Sequence, residues 1–74
     1  MNLSELRLND RAKIVSFRDA KIKSRLYDMG YKAGSEIKVF ALAPFGTPVG
    51  IKCGNIRLAI AKSTAEKITV QYAE

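Results

Sequence analysis

The stretch that organises this chain is Arg25-Leu26-Tyr27-Asp28-Met29-Gly30-Tyr31-Lys32-Ala33-Gly34, in which a short helix ends and a strand begins. Upstream of it, Ile22 precedes Leu26 and Met29 at the i, i+4 and i+7 spacing of one helical face. This spacing predicts a single apolar stripe that packs on the core, with the charged neighbours lying outside it.

The limits of this helix follow from residues with special backbone preferences. Asp19 offers an N-cap, because its carboxylate can accept hydrogen bonds from the first free N–H groups of a helix. Gly30 lies where a left-handed C-cap is needed, and Gly34 opens the next strand. The sequence therefore predicts a short α-helix over residues 19–29.

Other segments are rich in β-branched or alternating apolar residues, which is typical of strands. We predict strands over residues 11–17, 36–42, 49–53, 56–60 and 68–72. Between the second and third, Pro44, Gly46 and Pro48 give a loop, because none of them suits a central strand. About five short strands with one inserted helix predict a mainly β fold, a small and partly open barrel, as a single domain over residues 1–74.

Two smaller elements are expected near the ends of the chain. Ser63-Thr64-Ala65-Glu66 matches a capping box and predicts a helical turn near residues 63–67. Leu3, Leu6 and Leu8 precede the first strand. We expect them to lie over one end of the core, with Leu6 as the main anchor.

The third and fourth strands form a hairpin, because Gly54-Asn55 is a two-residue turn between two alternating segments. The predicted register pairs apolar residues on one face: Cys53 with Ile56, Ile51 with Leu58, and Val49 with Ile60. On that face Cys53 is expected to be a buried structural residue and not a reactive thiol.

The outward face of the same hairpin carries an unusual charge pair. Lys52 is predicted to lie directly opposite Arg57, and like charges in that position destabilise a sheet. The adjoining pair, Gly50 and Ala59, is small. This face either docks an acidic protein surface or is compensated within the domain by Glu66 or another acid.

The chemistry of the chain excludes most catalytic and metal-binding classes. The 74 residues include one Cys, no His and seven acidic residues that form no cluster along the chain. The commonest general base is therefore missing, and no nucleophile is paired with a base. We predict no enzyme, no catalytic residue, no metal ligand and no cofactor.

Location and charge narrow the possible partners. A lone Cys indicates a reducing compartment, and no apolar run approaches the roughly 20 residues of a spanning helix. We therefore expect a cytoplasmic protein without direct membrane insertion. The net charge of +6 suits an acidic partner, a phosphate-rich surface or simple solubility. A basic nucleic-acid-binding barrel is the alternative. We expect no nucleic acid, because the aromatic residues do not cluster with basic ones in one strand.

Three residues beside the helical stripe are not explained by folding. Arg25, Tyr27 and Tyr31 combine a cation with two aromatic rings, a mixture that is enriched in binding hot spots. We predict that they contact a partner. The alternative is that the two Tyr rings cover the edges of the barrel.

The run from Arg25 to Gly34 resembles the R-L-x-x-[LM]-G-x-x-x-G core of the FeoA-like domains. The loop Ala43-Pro44-Phe45-Gly46-Thr47-Pro48 is similar to the A-P-x-G-x-P loop of that family. The resemblance continues through the hairpin to Ala65-Glu66-Lys67-Ile68-Thr69-Val70 and covers Leu3 to Tyr72. The order and spacing of these motifs are more specific than any one of them alone.

This resemblance implies an SH3-like barrel and a small cytoplasmic accessory of ferrous iron transport. The implied partner is a large membrane transporter with a cytoplasmic GTPase domain, which would hold the accessory at the inner membrane by protein contact. Thr47 stands where family members often carry Asp, so the resemblance implies no acidic role for that loop. Such domains also occur in metal-responsive regulators. Here no DNA-binding helices precede the barrel, which favours a stand-alone accessory. Separately, the exposed edges of the barrel favour weak homo-oligomers.

Overall fold

Five antiparallel strands form one sheet in the computed structural model, which describes residues 1–73. The strands are β1 (Arg11–Phe17), β2 (Glu36–Leu42), β3 (Val49–Cys53), β4 (Ile56–Ile60) and β5 (Ile68–Tyr72). Helix α1 (Ala20–Asp28) connects β1 to β2, and the single turn α2 (Lys62–Ala65) connects β4 to β5. The predicted mainly β fold, the five strand ranges and the helix are confirmed.

The strand order is β4-β3-β2-β1-β5, so β4 and β5 are the two edges of an unclosed sheet. The register of β1 with β5 shifts between Ile14 and Ser16, and that of β2 with β3 shifts between Val39 and Ala41. Such bulges bend their strands and increase the local twist. The sheet therefore curls into the partly open barrel that the strand pattern predicts.

The N-terminal segment covers one of the two edges. Asn2 forms an isolated antiparallel bridge with Thr69 of β5, and the carbonyl of Met1 accepts a hydrogen bond of 2.9 Å from the Val70 N–H. Asn2 also caps a 3₁₀ turn at Leu3–Glu5. Within residues 1–73, the edge of β4 receives no such strand.

Helix α1 begins and ends where the sequence places it. The Asp19 carboxylate accepts hydrogen bonds from the N–H groups of Ile22 (3.2 Å) and Lys21 (2.8 Å), and these bonds lower the pKa of Asp19. Lys67 adds an ion pair at 3.8 Å to the same carboxylate. Gly30 follows the C-cap with φ +90°, a left-handed conformation that favours glycine.

The core lies between the curled sheet, the N-terminal turn and one face of α1. Its buried residues are Leu3, Leu6, Ala12, Ile14, Leu26, Tyr31, Ile37, Val39, Val49, Ile51, Ile60, Ala65, Ile68 and Val70. Leu3 and Leu6 are both buried, whereas Leu8 is exposed, so the expectation for Leu8 is wrong. Leu8 lies in the turn before β1, which projects it away from the core.

The predicted apolar stripe of α1 is only partly buried. Leu26 is buried and Ile22 is half-buried, but Met29 is 40% exposed. The prediction that Met29 is buried is therefore wrong. Met29 is the C-cap residue, where α1 passes the open edge of β4 and no further strand covers it.

The hairpin has the predicted register, but its tip is less buried than expected. Cys53 is half-buried, and its partner Ile56 is 47% exposed. Strand β2 pairs with β3 only as far as Lys38 with Lys52, so the tip of the hairpin extends past the sheet. The inward face is buried only at Val49, Ile51 and Ile60, which lie away from the tip.

Helix α2 has a different cap from the one predicted. Its N-cap residue is Ala61, and no capping-box bond forms at Ser63. Instead, the Lys62 N–H donates a hydrogen bond of 3.2 Å to the hydroxyl of Thr47 in the β2–β3 loop. Gly46 in that loop adopts φ +80°, and its N–H closes a turn onto Ala43. The loop thus supplies the cap that the local sequence lacks.

Candidate partner-binding surfaces

An apolar groove separates α1 from the open edge of the sheet. It has a volume of about 280 Å³ and is lined by Ile22, Arg25, Leu26, Met29, Leu58, Ala59, Ile60, Ala61 and Thr64. Its two walls come from α1 and from β4. The sequence indicated the helical wall, but not the β4 wall, because Leu58 and Ile60 are assigned to the core by their alternation alone.

The groove runs beside backbone groups that have no partner. In a two-residue hairpin, the residues that flank the turn exchange hydrogen bonds, and the pairs then alternate along the strands. Cys53 pairs with Ile56, so the N–H and C=O groups of Arg57 and Ala59 point away from β3. Neither residue makes another backbone hydrogen bond within residues 1–73. The edge of β4 can therefore accept a further strand.

Tyr31 does not lie on an exposed surface, so the prediction that it contacts a partner is wrong. Its side chain is fully buried, and its hydroxyl donates a hydrogen bond of 2.5 Å to the carbonyl oxygen of Ile56. Burial raises the pKa of the Tyr31 phenol, and its electrostatic interaction with the nearby Cys53 raises it further. Tyr31 follows the left-handed Gly30, and that turn directs its ring into the core. Its role is to fasten the end of α1 to the hairpin.

Tyr27 is half-buried and already has aromatic and cationic neighbours. Its ring lies edge-on to Phe17 with centroids 5.9 Å apart, and the Lys23 ammonium lies 5.5 Å from the ring centroid. The backbone N–H of Ala33 donates a long hydrogen bond of 3.4 Å to the Tyr27 hydroxyl. Tyr27 therefore acts largely as a cover, which is the alternative that the sequence left open.

Arg25 is exposed and lines the groove. Of the three residues predicted beside the stripe, it is the one whose side chain remains available at this surface. Its charge lies at the rim of an otherwise apolar channel. An occupant with an apolar side chain for the groove and an acidic one for the rim would match it.

Lys52 and Arg57 lie opposite each other, as predicted. The Arg57 guanidinium lies 5.4 Å from the centroid of the Phe40 ring, so it is held in place by a cation–π contact. Within residues 1–73, the only ion pair joins Lys67 to Asp19, so no acid, including Glu66, forms an ion pair with Lys52 or Arg57.

The small pair Gly50 and Ala59 does not leave a flat face. The Phe40 ring lies across Gly50, where an added Cβ would come within 3.0 Å of the ring and of the Ala41 side chain. Gly50 is buried in consequence. The hairpin face is therefore an aromatic ring with an arginine stacked on it.

A cluster of metal ligands and a membrane-spanning helix are both absent from residues 1–73. Between Met1 and Ala73 no group of three or more Cys, Asp or Glu side chains could hold a metal ion, and the chain has no His. No helix in this part of the chain is long and apolar enough to cross a bilayer.

A family model and solved structures show which proteins this chain is similar to. The family model described as the FeoA domain matches residues 1–72. The chain belongs to the FeoA family. Comparison with curated proteins gives no match.

Two solved FeoA proteins illustrate the similarity. The solution structure of FeoA from Chlorobium tepidum is 36% identical, with a TM-score of 0.92 over 100% of this chain and 71% of that one. FeoA from Stenotrophomonas maltophilia, solved with zinc and described as a prokaryotic SH3 domain protein, is 33% identical. It has a TM-score of 0.83 over 96% of this chain and 89% of that one.

The same fold occurs in a metal-responsive regulator. A manganese-dependent transcriptional repressor is 17% identical, with a TM-score of 0.87 over 99% of this chain and 36% of the repressor. At this identity the likeness concerns the fold alone. The zinc is likewise a feature of the Stenotrophomonas structure.

Proposed function

We propose that this protein is a cytoplasmic accessory of ferrous iron transport and acts by binding the cytoplasmic part of the membrane transporter. Membership of the FeoA family supports the link to iron transport. The Stenotrophomonas relative is described as a candidate ferrous iron transport activating factor. The contact with a transporter and its GTPase region is our own step beyond these observations.

The open edge of β4 beside the apolar groove is the observation that carries this proposal. A partner segment in extended conformation would pair with the free groups of Arg57 and Ala59 and extend the sheet by one strand. Every second side chain of that segment would then point into the groove between α1 and β4. Main-chain hydrogen bonds would supply affinity, and the groove would supply specificity.

Arg25 and Met29 give the groove two distinct anchors. Met29 is 40% exposed on the helical wall, and its flexible thioether suits a variable apolar side chain. Arg25 lies at the rim and can pair with a carboxylate. The occupant is thus an extended segment with an apolar residue for the groove and an acidic residue near Arg25.

The direct test mixes this protein with the soluble GTPase domain and the cytoplasmic loops of a ferrous iron transporter encoded in the same genome. We expect heat on titration and co-elution at tens of micromolar, with the nucleotide state of the GTPase varied. Absence of binding to every cytoplasmic part would overturn the proposal.

Two variants connect any binding to the proposed surface. Ala59→Pro removes an outward N–H from β4 without removing a bond to β3, so it should weaken binding at least tenfold. Met29→Lys places a charge in the groove and should have a similar effect. Leu8→Lys is the matched control, because Leu8 is also an exposed apolar residue but lies outside the groove. Equal loss in Met29→Lys and Leu8→Lys would contradict the assignment of the groove.

A further inference from the structure

A row of basic residues crosses four adjacent strands on the outer face of the sheet. Each member is the direct cross-strand partner of the next, in the order Arg11, Lys38, Lys52 and Arg57. Direct partners in an antiparallel sheet point to the same face. The hairpin alone reveals the last two, whereas the first two join the row only through the long-range register of β1, β2 and β3.

The row is a concentrated charge. Neighbouring strands lie about 4.8 Å apart, so the four residues extend over about 14 Å. The distance between neighbouring strands is shorter than the roughly 10 Å over which 0.1 M salt screens charges, so each cation repels the next. The arrangement destabilises the sheet, which is the reverse of what folding alone would favour.

The nearby acid does not cancel this charge. Glu36 shares a shallow cleft of about 280 Å³ with Arg11, Lys38 and Lys52, and Ile37 and Gly54 complete its lining. The cross-strand partner of Glu36 is Lys13, which is itself basic. Within residues 1–73, none of the row residues forms an ion pair with Glu36.

We propose that this row binds an acidic polypeptide segment whose carboxylates line up along it. Arg57 is held against the Phe40 ring, so the edge of its planar guanidinium stays free for a bidentate bond to a carboxylate. The cleft beside Lys38 and Lys52 receives a second carboxylate. This inference does not depend on the proposed transporter contact.

The surroundings of the row favour a polypeptide over nucleic acid or a bilayer. Base stacking needs a free aromatic face, whereas the Phe40 ring, which is 38% exposed, already stacks with Arg57 and lies against Gly50. A membrane contact needs an apolar side chain beside the charges that is free to insert, and Phe40 is held against Arg57. The most exposed one, Phe45, lies in the loop at the opposite end of β3 from Lys52.

The test measures binding of a fluorescent octaglutamate peptide to the full chain by anisotropy at 20 mM and 200 mM NaCl. We expect binding that weakens at least tenfold with the added salt. The variant Lys38→Gln/Lys52→Gln/Arg57→Gln should lose at least tenfold in affinity at low salt. Thermal melting checks its fold, and its melting temperature should equal or exceed that of the parent, because repulsion is removed.

A matched control distinguishes the row from net charge. Lys21→Gln/Lys32→Gln/Lys62→Gln removes the same charge from exposed positions outside the row and should change affinity less than threefold. Equal losses in the two triple variants, or no binding of octaglutamate by the parent, would overturn the proposal. Tighter binding of a 12-nucleotide oligothymidine or of phosphatidylglycerol vesicles, lost in the row variant, would also overturn it, because the ligand class would be different. A negative transporter experiment leaves this result unaffected, so the two failures are distinguishable.

Discussion

Replacement of Tyr31 by Phe removes one hydroxyl from the centre of the structure and leaves the ring in place. The hydroxyl donates a 2.5 Å hydrogen bond to the carbonyl of Ile56, and the oxygen of Ile51 lies 3.5 Å away. A neutral hydrogen bond contributes about 0.5–1.5 kcal/mol net. The Ile56 carbonyl keeps its bond to Cys53 in the hairpin, so the full cost of an unpaired carbonyl does not apply. We therefore expect Tyr31→Phe to lower the free energy of unfolding by about 1 kcal/mol.

Urea and thermal unfolding followed by circular dichroism measure this change. For a domain of this size, about 1 kcal/mol corresponds to a fall of roughly 4–8 °C in the melting temperature. Tyr27→Phe is the matched control, because the Tyr27 hydroxyl only accepts a 3.4 Å bond at an exposed site. It should change the free energy of unfolding by less than about 0.5 kcal/mol. Equal stability of the two variants would refute a fastening role for Tyr31.

The pH dependence gives a second readout of the same bond. Burial raises the pKa of Tyr31 above its ordinary value of 10.0, so the folded protein keeps the proton after the unfolded chain has lost it. Stability from this group is therefore complete below about pH 10 and falls as the pH rises further. The advantage of the parent over Tyr31→Phe should be constant between pH 8 and about pH 10, and it should shrink as the pH rises from 10 to 11.5. A constant advantage across that range would show that the phenol is not protected in the folded state.

Three further substitutions test other parts of the fold. Gly50→Ala forces the Phe40 ring away and should cost about 1–3 kcal/mol in urea unfolding, with part of it recovered when Phe40→Leu is added. Asp19→Asn keeps the cap but removes the titrating carboxylate. Because the pKa of Asp19 is lowered in the folded state, the parent should lose stability as the pH falls below 3.8, and the variant should lose less in an acid titration. Thr47→Val should lower stability by about 0.5–1 kcal/mol in thermal melting, whereas Thr47→Ser should retain it. Unchanged stability of Gly50→Ala would contradict the packing of Phe40 on Gly50. Equal acid sensitivity of the parent and Asp19→Asn would contradict the role of the Asp19 carboxylate, and unchanged stability of Thr47→Val would contradict its hydrogen bond to Lys62.

The elements of the fold could be predicted because their signals are local. Asp19 and Gly30 limit α1 through the hydrogen bonds and backbone angles of their own neighbours. The Gly54-Asn55 turn likewise determines the register of β3 with β4. The cap of α2 could not be predicted, because Thr47 reaches it from a loop 15 residues away in sequence.

The candidate contact residues were harder to predict, because exposure depends on tertiary packing. Tyr31 and Met29 lie two residues apart at the end of α1, yet the first is buried and the second is exposed. The left-handed Gly30 between them reverses the direction of the chain, and helical periodicity ends there. The sequence shows Gly30, but it does not show where the hairpin lies, and the packing of Tyr31 depends on that position.

Strand β4 connects the groove and the basic row. Its alternate side chains serve the two surfaces, since Leu58 lines the groove and Arg57 ends the row. A segment added at this edge would continue the same alternation, with one set of side chains beneath α1 and the other on the outer face. An acidic residue of that outer set would lie directly beside Arg57, as a cross-strand partner does. A partner segment that alternates apolar and acidic residues would therefore satisfy both surfaces, and the uncompensated charge at the end of the row would select its register.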